Sequence, residues 1–289
     1  MRSGQGSVGD YLNLFLALKQ DPNAAVLDTA QRQIEKINAS IVTDEDRAQF
    51  DAVLRRQLDP VYKALGSPVK GESFDRQQLR GTLFEILGAA QDPAVLTEAN
   101  QVTSRVYPVS GPTDKTLDSA LAESAVRVAS ANGDAALYDR VLAASKDARD
   151  PGLQSQALRT LARFRDPVLV TRTLDYAVSG QVRNQDSWIV LALLLRQRET
   201  QDQTWDYIQH HWDKVHAQFT TNSGVRVVNA TGYFCTVEKR DEVVGFFATH
   251  KVDAAERTLA KAIDSINDCI QLRANQQPSL HQWLATQPQ

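Results

Sequence analysis

The sequence predicts an all-α chain of stacked antiparallel helical hairpins, an α-solenoid, on three observations. Apolar residues recur at spacings of three and four in nearly every segment, as in helices with one buried face. Helix breakers are scarce, with 14 Gly and 10 Pro in 289 residues, about 8 % against an average nearer 12 %. Asp-Pro recurs at 21–22, 92–93, 150–151 and 166–167. Proline fits a first helical turn, where no N–H is required, and the Asp before it can cap. Helices of about 12–18 residues alternating with short turns match the layout of helical hairpins stacked in series. No residue string recurs at a fixed period, so periodicity alone assigns no repeat family.

Each element follows from a local signal. Ser7 can cap a short amphipathic helix through Tyr11, Leu12, Phe15, Leu16 and Leu18. Asp21-Pro22 is expected to start the next, with Ala25, Val26, Ala30, Ile34 and Ile37 inward. Thr43 to Asp46 has the form of a capping box with Asp in the Glu position. It leads a stripe of Phe50, Val53, Leu54, Leu58, Val61, Tyr62 and Leu65, with Gly66 as the closing glycine. After a loop with Pro68 and Gly71, the next face is Leu79, Leu83, Phe84, Ile86 and Leu87, ended by Gly88. Asp92-Pro93 opens a helix through Val95, Leu96, Ala99, Val102 and Val106, broken by Pro108, Gly111 and Pro112. Two further faces, Leu117 to Ala129 and Leu137 to Leu142, flank a turn at Asn132-Gly133. Asp150-Pro151 and Asp166-Pro167 each start another helix.

The second half is more apolar. Val182 to Leu195 reads as a buried helix. Trp205, Ile208, Trp212, Val215 and Phe219 are spaced 3, 4, 3 and 4, the pattern of one helical stripe. Val225 to Val228 has strand propensity, but it is short and isolated and reads as helix. Val237, Val243, Val244, Phe246 and Phe247 form another face, and a long last helix opens at Asp253 and ends near Trp283.

Composition excludes several function classes. A hydrophobic share of 42 % is enough to fill a core. The net charge of −3 lacks the basic footprint usual for nucleic-acid binding. The longest apolar run, Trp188 to Leu195, is eight residues, too short to span a bilayer. Two Cys cannot form a disulfide scaffold or a cysteine-rich zinc site. Cys235 follows Tyr233-Phe234 and Cys269 lies three residues after Ile266 on an apolar helical face, so both read as small buried hydrophobes.

The search for chemistry finds no catalytic centre. His210, His211 and His216, with Asp213, are the one metal candidate; their closest useful spacings are five and six, whereas a metalloprotease helix needs His at i and i+4 with Glu between. They read as solvent-facing residues beside a tryptophan stripe. Gly4 to Gly9 formally fits G-x-G-x-x-G, but only three residues precede it, too few for the strand that motif requires. The carboxylates at Asp44-Glu45-Asp46 and Asp241-Glu242 lie at expected helix starts, where they complement the helix dipole. Arg183, Arg196 and Arg198 flank the apolar run and read as surface charges or ion-pair partners.

Four stretches carry a family resemblance. They are Gln78-Leu79-Arg80 through Leu87-Gly88; Ala157-Leu158 to Asp166-Pro167 with Gly180-Gln181-Val182-Arg183-Asn184-Gln185-Asp186; Trp205 to Trp212; and Glu242-Val243-Val244-Gly245-Phe246-Phe247 followed by a terminal helix ending in Trp283-Leu284. In order and spacing, over roughly residues 8–285, they resemble the helical, HEAT-like C-terminal domain of gluzincin (zinc) aminopeptidases of the puromycin-sensitive and endoplasmic-reticulum type. Arg2 to Ser7 with Tyr11-Leu12 resembles the connection from that domain's first helix into its second, so residues 1–289 are expected to be a single helical domain lacking its first helix.

The resemblance implies a domain curved into a bowl over the active site of a zinc aminopeptidase. It would enclose the peptide and meet the peptide's C-terminal end with basic side chains. By alignment on the Gln-Asp stretch and the Trp205–Trp212 helix, Arg196 falls at such a position, and Arg183, which lies near it in sequence, is a second candidate. No catalytic or metal residue carries over, because the sequence has no H-E-x-x-H and only one Met. The zinc would belong to a catalytic domain absent from this chain, and the chain alone is expected to be inactive. Its expected partners are the peptide and that catalytic domain, with neither nucleic acid nor membrane. The compartment stays open.

Two rival readings accompany this one: a stand-alone α-solenoid that binds a protein, and a metal enzyme built on the three His. A complete solenoid needs polar capping helices. The apolar first helix favours a cut domain instead, and predicts exposed apolar surface at Leu12, Phe15 and Leu16 with self-association there.

Overall fold

In the computed structural model, residues 6–21, 23–147, 150–220 and 222–288 are described, and none of them forms a strand. The all-α reading holds: helices follow one another in series, most of them packing on near neighbours in the chain. The helices form two compact units, one of residues 1–129 with 272–289, the other of residues 130–271.

The first unit contains α1 (Val8–Ala17), α2 (Ala24–Ser40), α3 (Asp44–Leu65), α4 (Phe74–Ala89), α5 (Pro93–Val106) and most of α6 (Ser119–Ala131). α4 is its centre, packed against α2, α3 and α5. Ile37, Phe50, Leu58, Leu83, Phe84 and Leu87 fill its core as the predicted stripes have it, but in α2 Leu27 is the buried residue, while Ala25, expected inward, is exposed and Val26 half-buried. Gly88 does not end its helix as read: α4 runs on to Ala89, and Gln91 takes the positive φ (58°). The caps at Ser7, Thr43 and Gly66 follow the reading, though the Thr43–Asp46 box forms only its Thr43 half at the backbone. Ser7 and Asp10 form a reciprocal capping box, and Thr43 accepts the Asp46 N–H. Gly66 ends α3 with φ +64°, a left-handed conformation that glycine reaches without steric penalty.

The second unit contains α7 (Ala135–Lys146), α8 (Pro151–Leu161), α9 (Pro167–Ala177), α10 (Asn184–Leu195), α11 (Gln201–His210), α12 (Trp212–Ala217), α13 (Ser223–Ala230), a 3-10 turn η1 (Thr231–Tyr233), α14 (Val237–Thr249) and the start of α15 (Glu256–Ala285). α10 touches α8, α9, α11 and α13. This explains its nearly unbroken apolar sequence, since a helix covered on several sides needs no polar face.

Three of the four Asp-Pro pairs open helices as predicted. Asp92 accepts the N–H groups of Ala94 and Val95, Asp150 that of Leu153, and Asp166 those of Val168 and Leu169. Pro22 lies outside the described residues; α2 starts at Ala24 with Asn23 as its cap, and Asp21 accepts the Asn23 N–H instead. A further pair, Asp59-Pro60, lies within α3, so Asp-Pro opens a helix only where the preceding chain leaves the helical path.

Three expectations are corrected. The predicted stripe from Trp205 to Phe219 is two helices, because the chain departs from α geometry at His211 (φ −118°, ψ 29°). Its apolar face persists because Trp205 and Trp212 both pack on Phe246 and Phe247. The exposure expected at Leu12, Phe15 and Leu16 is not found; the exposed apolar residues of this helix are Leu14 and its C-cap Leu18. Leu12 and Phe15 are 1 % and 2 % exposed, and Leu16 is half-buried. The far end of α15 closes over α1: Trp283 lies so close that a Cβ on Gly9 would come within 3.1 Å of it. Trp283 Nε1 also donates to Asn13 Oδ1 at 2.8 Å, and Val8 N–H donates to Gln276 Oε1 at 2.8 Å. The cysteines are not free hydrophobes: Cys235, after η1, is disulfide-bonded to Cys269 on α15. Their separation of 34 residues hid a pairing that only the return of α15 creates.

Candidate functional site

α10 carries both arginines singled out from the sequence and keeps them apart. Arg183 caps its first turn and Arg196 its last. Thirteen residues of helix at about 1.5 Å each separate them by roughly 20 Å, so they form no joint pocket. The helix is pinned along its length. Buried Ser187 donates to the Ala177 carbonyl at 2.7 Å, and buried Thr200 to the Leu194 carbonyl at 2.6 Å. Gln197 donates to the carbonyls of Ala162 and Leu193. These bonds satisfy carbonyls that a helix end leaves without intrahelical partners.

The two arginines differ in surroundings. Arg183 is exposed and holds the Asp186 carboxylate at 2.8 Å through Nε. Arg196 is exposed and has no carboxylate partner among the described residues; its guanidinium lies 4.7 Å from the centre of the Tyr233 ring. A cation at the C-terminal end of α10 also complements the helix dipole. Arg165 pairs with Glu199 at 3.2 Å.

The histidines do not form a site. His210 and His211 bond through Nδ1 to the carbonyls one turn back, at Asp206 and Tyr207. His211 stacks on Tyr207 at 4.2 Å, while His216 leans on Trp212. Beside them, burial and the hydrogen bond it donates to Asp175 hold the Tyr207 hydroxyl well above its usual pKa. Among the described residues, no three His, Cys, Asp or Glu converge as a metal site. No helix among them is long and apolar enough to cross a membrane.

The structure also reveals a polar cleft of about 310 Å³ between α2, α4 and α6. Gln31 donates to Glu35 and Glu85 at 3.0 Å each, Ser124 donates to Glu85 at 2.8 Å, and Arg127 lies 3.5 Å from Glu85. The sequence signal was faint: buried Gln31 and Ser124 interrupt otherwise apolar helical faces.

Comparison with known proteins places this helical array. The model of the ERAP1-like C-terminal domain matches residues 1–268. Among curated proteins, the chain is 27 % identical over 271 residues to aminopeptidase 2, mitochondrial, of Saccharomyces cerevisiae, covering 91 % of this chain and 28 % of that protein. It is 25 % identical over 281 residues to the alanine/arginine aminopeptidase of the same yeast, covering 91 % and 31 %. It is 27 % identical over 276 residues to aminopeptidase M1 of Arabidopsis thaliana, covering 91 % and 30 %. The chain thus spans about 30 % of the length of these relatives. With the family match running through both helical units, the chain belongs to the ERAP1-like C-terminal domain family.

Proposed function

We propose that this chain is the helical C-terminal portion of a zinc aminopeptidase, that residues 1–289 act there as one domain, and that it encloses the chamber in which the peptide lies. The observation that carries the reading is the family match over residues 1–268, in a chain about 30 % as long as relatives named aminopeptidases. The chain's own residues do not fit the zinc: it has no H-E-x-x-H, and no set of three ligands converges among the described residues. The metal and the base that activates water are therefore assigned to the catalytic portion, and no chemical step is assigned here. The domain's contribution is steric and electrostatic.

Arg196, with no carboxylate partner among the described residues, is assigned to the peptide's terminal carboxylate; Arg183, occupied by Asp186, contributes less. An exposed ion pair contributes about 0.2–1 kcal/mol. Arg196→Ala in the parent enzyme is thus expected to raise KM about 1.4- to five-fold for peptides with a free C-terminus, leaving amidated peptides and aminoacyl-arylamides unchanged. Equal effects on free and amidated peptides would refute the assignment of Arg196. Arylamide hydrolysis by the rigorously pure 289-residue chain would refute the whole reading.

A further inference from the structure

We propose that Tyr233 is the positioning residue for Arg196, and that the Cys235–Cys269 disulfide holds Tyr233 in place. The consequence for peptide binding rests on the role assigned to Arg196 above; the positioning itself does not.

Residues 231–235 are a short segment fixed on several sides. Thr231 is fully buried and its hydroxyl donates to the Val228 carbonyl at 2.7 Å. Gly232 lies against α15, where a Cβ would come within 3.2 Å of Ala262 Cα. Phe234 is buried, with its ring edge-on to that of Trp205 at 6.0 Å. Cys235 is bonded to Cys269, two helical turns beyond Ala262 on α15. Between these anchors, Tyr233 is 46 % exposed and carries the Arg196 guanidinium at 4.7 Å.

Arginine has a long, rotamer-rich side chain, so an unrestrained Arg196 would spread its charge over many positions. A ring fixed beneath the guanidinium narrows that spread, and the cation–π attraction at an exposed site favours the stacked arrangement about two- to five-fold. The stacked face leaves the edge of the guanidinium, with its N–H groups, available to a carboxylate. The disulfide matters because the segment, a three-residue 3-10 turn running on from α13, leaves helical geometry at Phe234 (φ −61°, ψ 156°), directly after Tyr233. It ties the segment covalently to the long helix that supports it.

The test reads the Arg196 side chain in the 289-residue chain by NMR. Stacking on a ring shifts its Hδ protons upfield. Tyr233→Leu is expected to return those protons to random-coil positions, whereas Tyr233→Phe, which keeps the ring, leaves them shifted. Removing the disulfide, as Cys235→Ser/Cys269→Ser or as the apolar pair Cys235→Ala/Cys269→Val, is expected to reduce the shift by half or more in whichever pair retains the native far-UV circular dichroism. A shift that persists in Tyr233→Leu overturns the proposal, as does one unchanged without the disulfide, or loss of the native dichroism in both pairs. In the parent enzyme, Tyr233→Leu should raise KM for free-carboxyl peptides about two- to five-fold without changing kcat for an arylamide. If Arg196→Ala leaves that KM unchanged, the assigned function of Arg196 fails while the NMR result still decides the positioning.

Discussion

Arg80 sets its guanidinium against the Glu72 carboxylate at 2.6 Å through two nitrogens, with both side chains shielded from water, and also donates to the Gly66 carbonyl. Breaking such a pair strands a buried charge, typically at about 3–5 kcal/mol. Arg80→Ala and Glu72→Gln are each expected to lower unfolding free energy on that order, measured by urea denaturation. The Arg80 hydrogen bonds hold the Glu72 carboxyl below its usual pKa. A depressed folded-state value means that the stabilisation is present above the unfolded value near 4.3 and fades as pH falls through the folded one. Acid should thus narrow the gap between wild type and Glu72→Gln. Asp114 makes a more exposed case: bonds from Thr116 and Arg105 bring its carboxyl down to about 2. Its NMR titration should show the Arg105 contact intact at pH 3 and lost only as pH drops through that value. Gly88 makes a steric point. A Cβ there would come within 2.4 Å of Val128, so Gly88→Ala should destabilise by about 1–3 kcal/mol through overpacking despite alanine's better helix propensity. Val128→Ala in the same chain should recover part of the loss.

Elements in this chain are held by their ends as much as by their faces. Asp92, Asp150 and Asp166 each cap a helix whose first residue is proline, combining two start signals in one dipeptide. The disulfide acts at the same scale, joining the segment before α14 to α15. Closing a loop of 34 residues restricts the unfolded chain by about 3–4 kcal/mol in the chain-entropy model. The Cys235→Ser/Cys269→Ser chain should lose stability of that order in calorimetry, and thiol titration of the native protein should find two thiols only after reduction. Disulfides persist mainly in oxidising surroundings, which makes the redox state of the isolated protein the first property to measure.

At the scale of the whole molecule, the two ends of the chain close one core. Gln276 and Trp283 bond to Val8 and Asn13 across about 270 residues of sequence, and Gln49 donates to the Leu284 carbonyl at 2.8 Å. Removing residues 272–289 should uncover Leu12 and Phe15, with binding of a hydrophobic dye and concentration-dependent association as the readouts. The milder Trp283→Ala should cost about 3 kcal/mol of stability, as for other buried aromatic truncations. This closure carries a long loop-entropy penalty before its contacts form, so α15 is expected to dock late in folding, a point accessible to hydrogen exchange.

Helix class, most boundaries, the proline starts and the apolar faces were determined by the sequence itself, because each depends on residues within one or two turns of one another. The family could be read there too, since it rests on the order of short motifs. The disulfide, the covering of α1 by α15, the break at His211 and the ring beneath Arg196 were not legible. Each depends on partners tens to hundreds of residues apart, or on a backbone turn with no glycine or proline to announce it. Arg183 and Arg196 show the same division. Their places at the two ends of α10 follow from the helical period, but that one is occupied by Asp186 and the other rests on Tyr233 was decided only by tertiary packing. An arginine's neighbours are set by the elements folded around it, and local sequence carries no record of them.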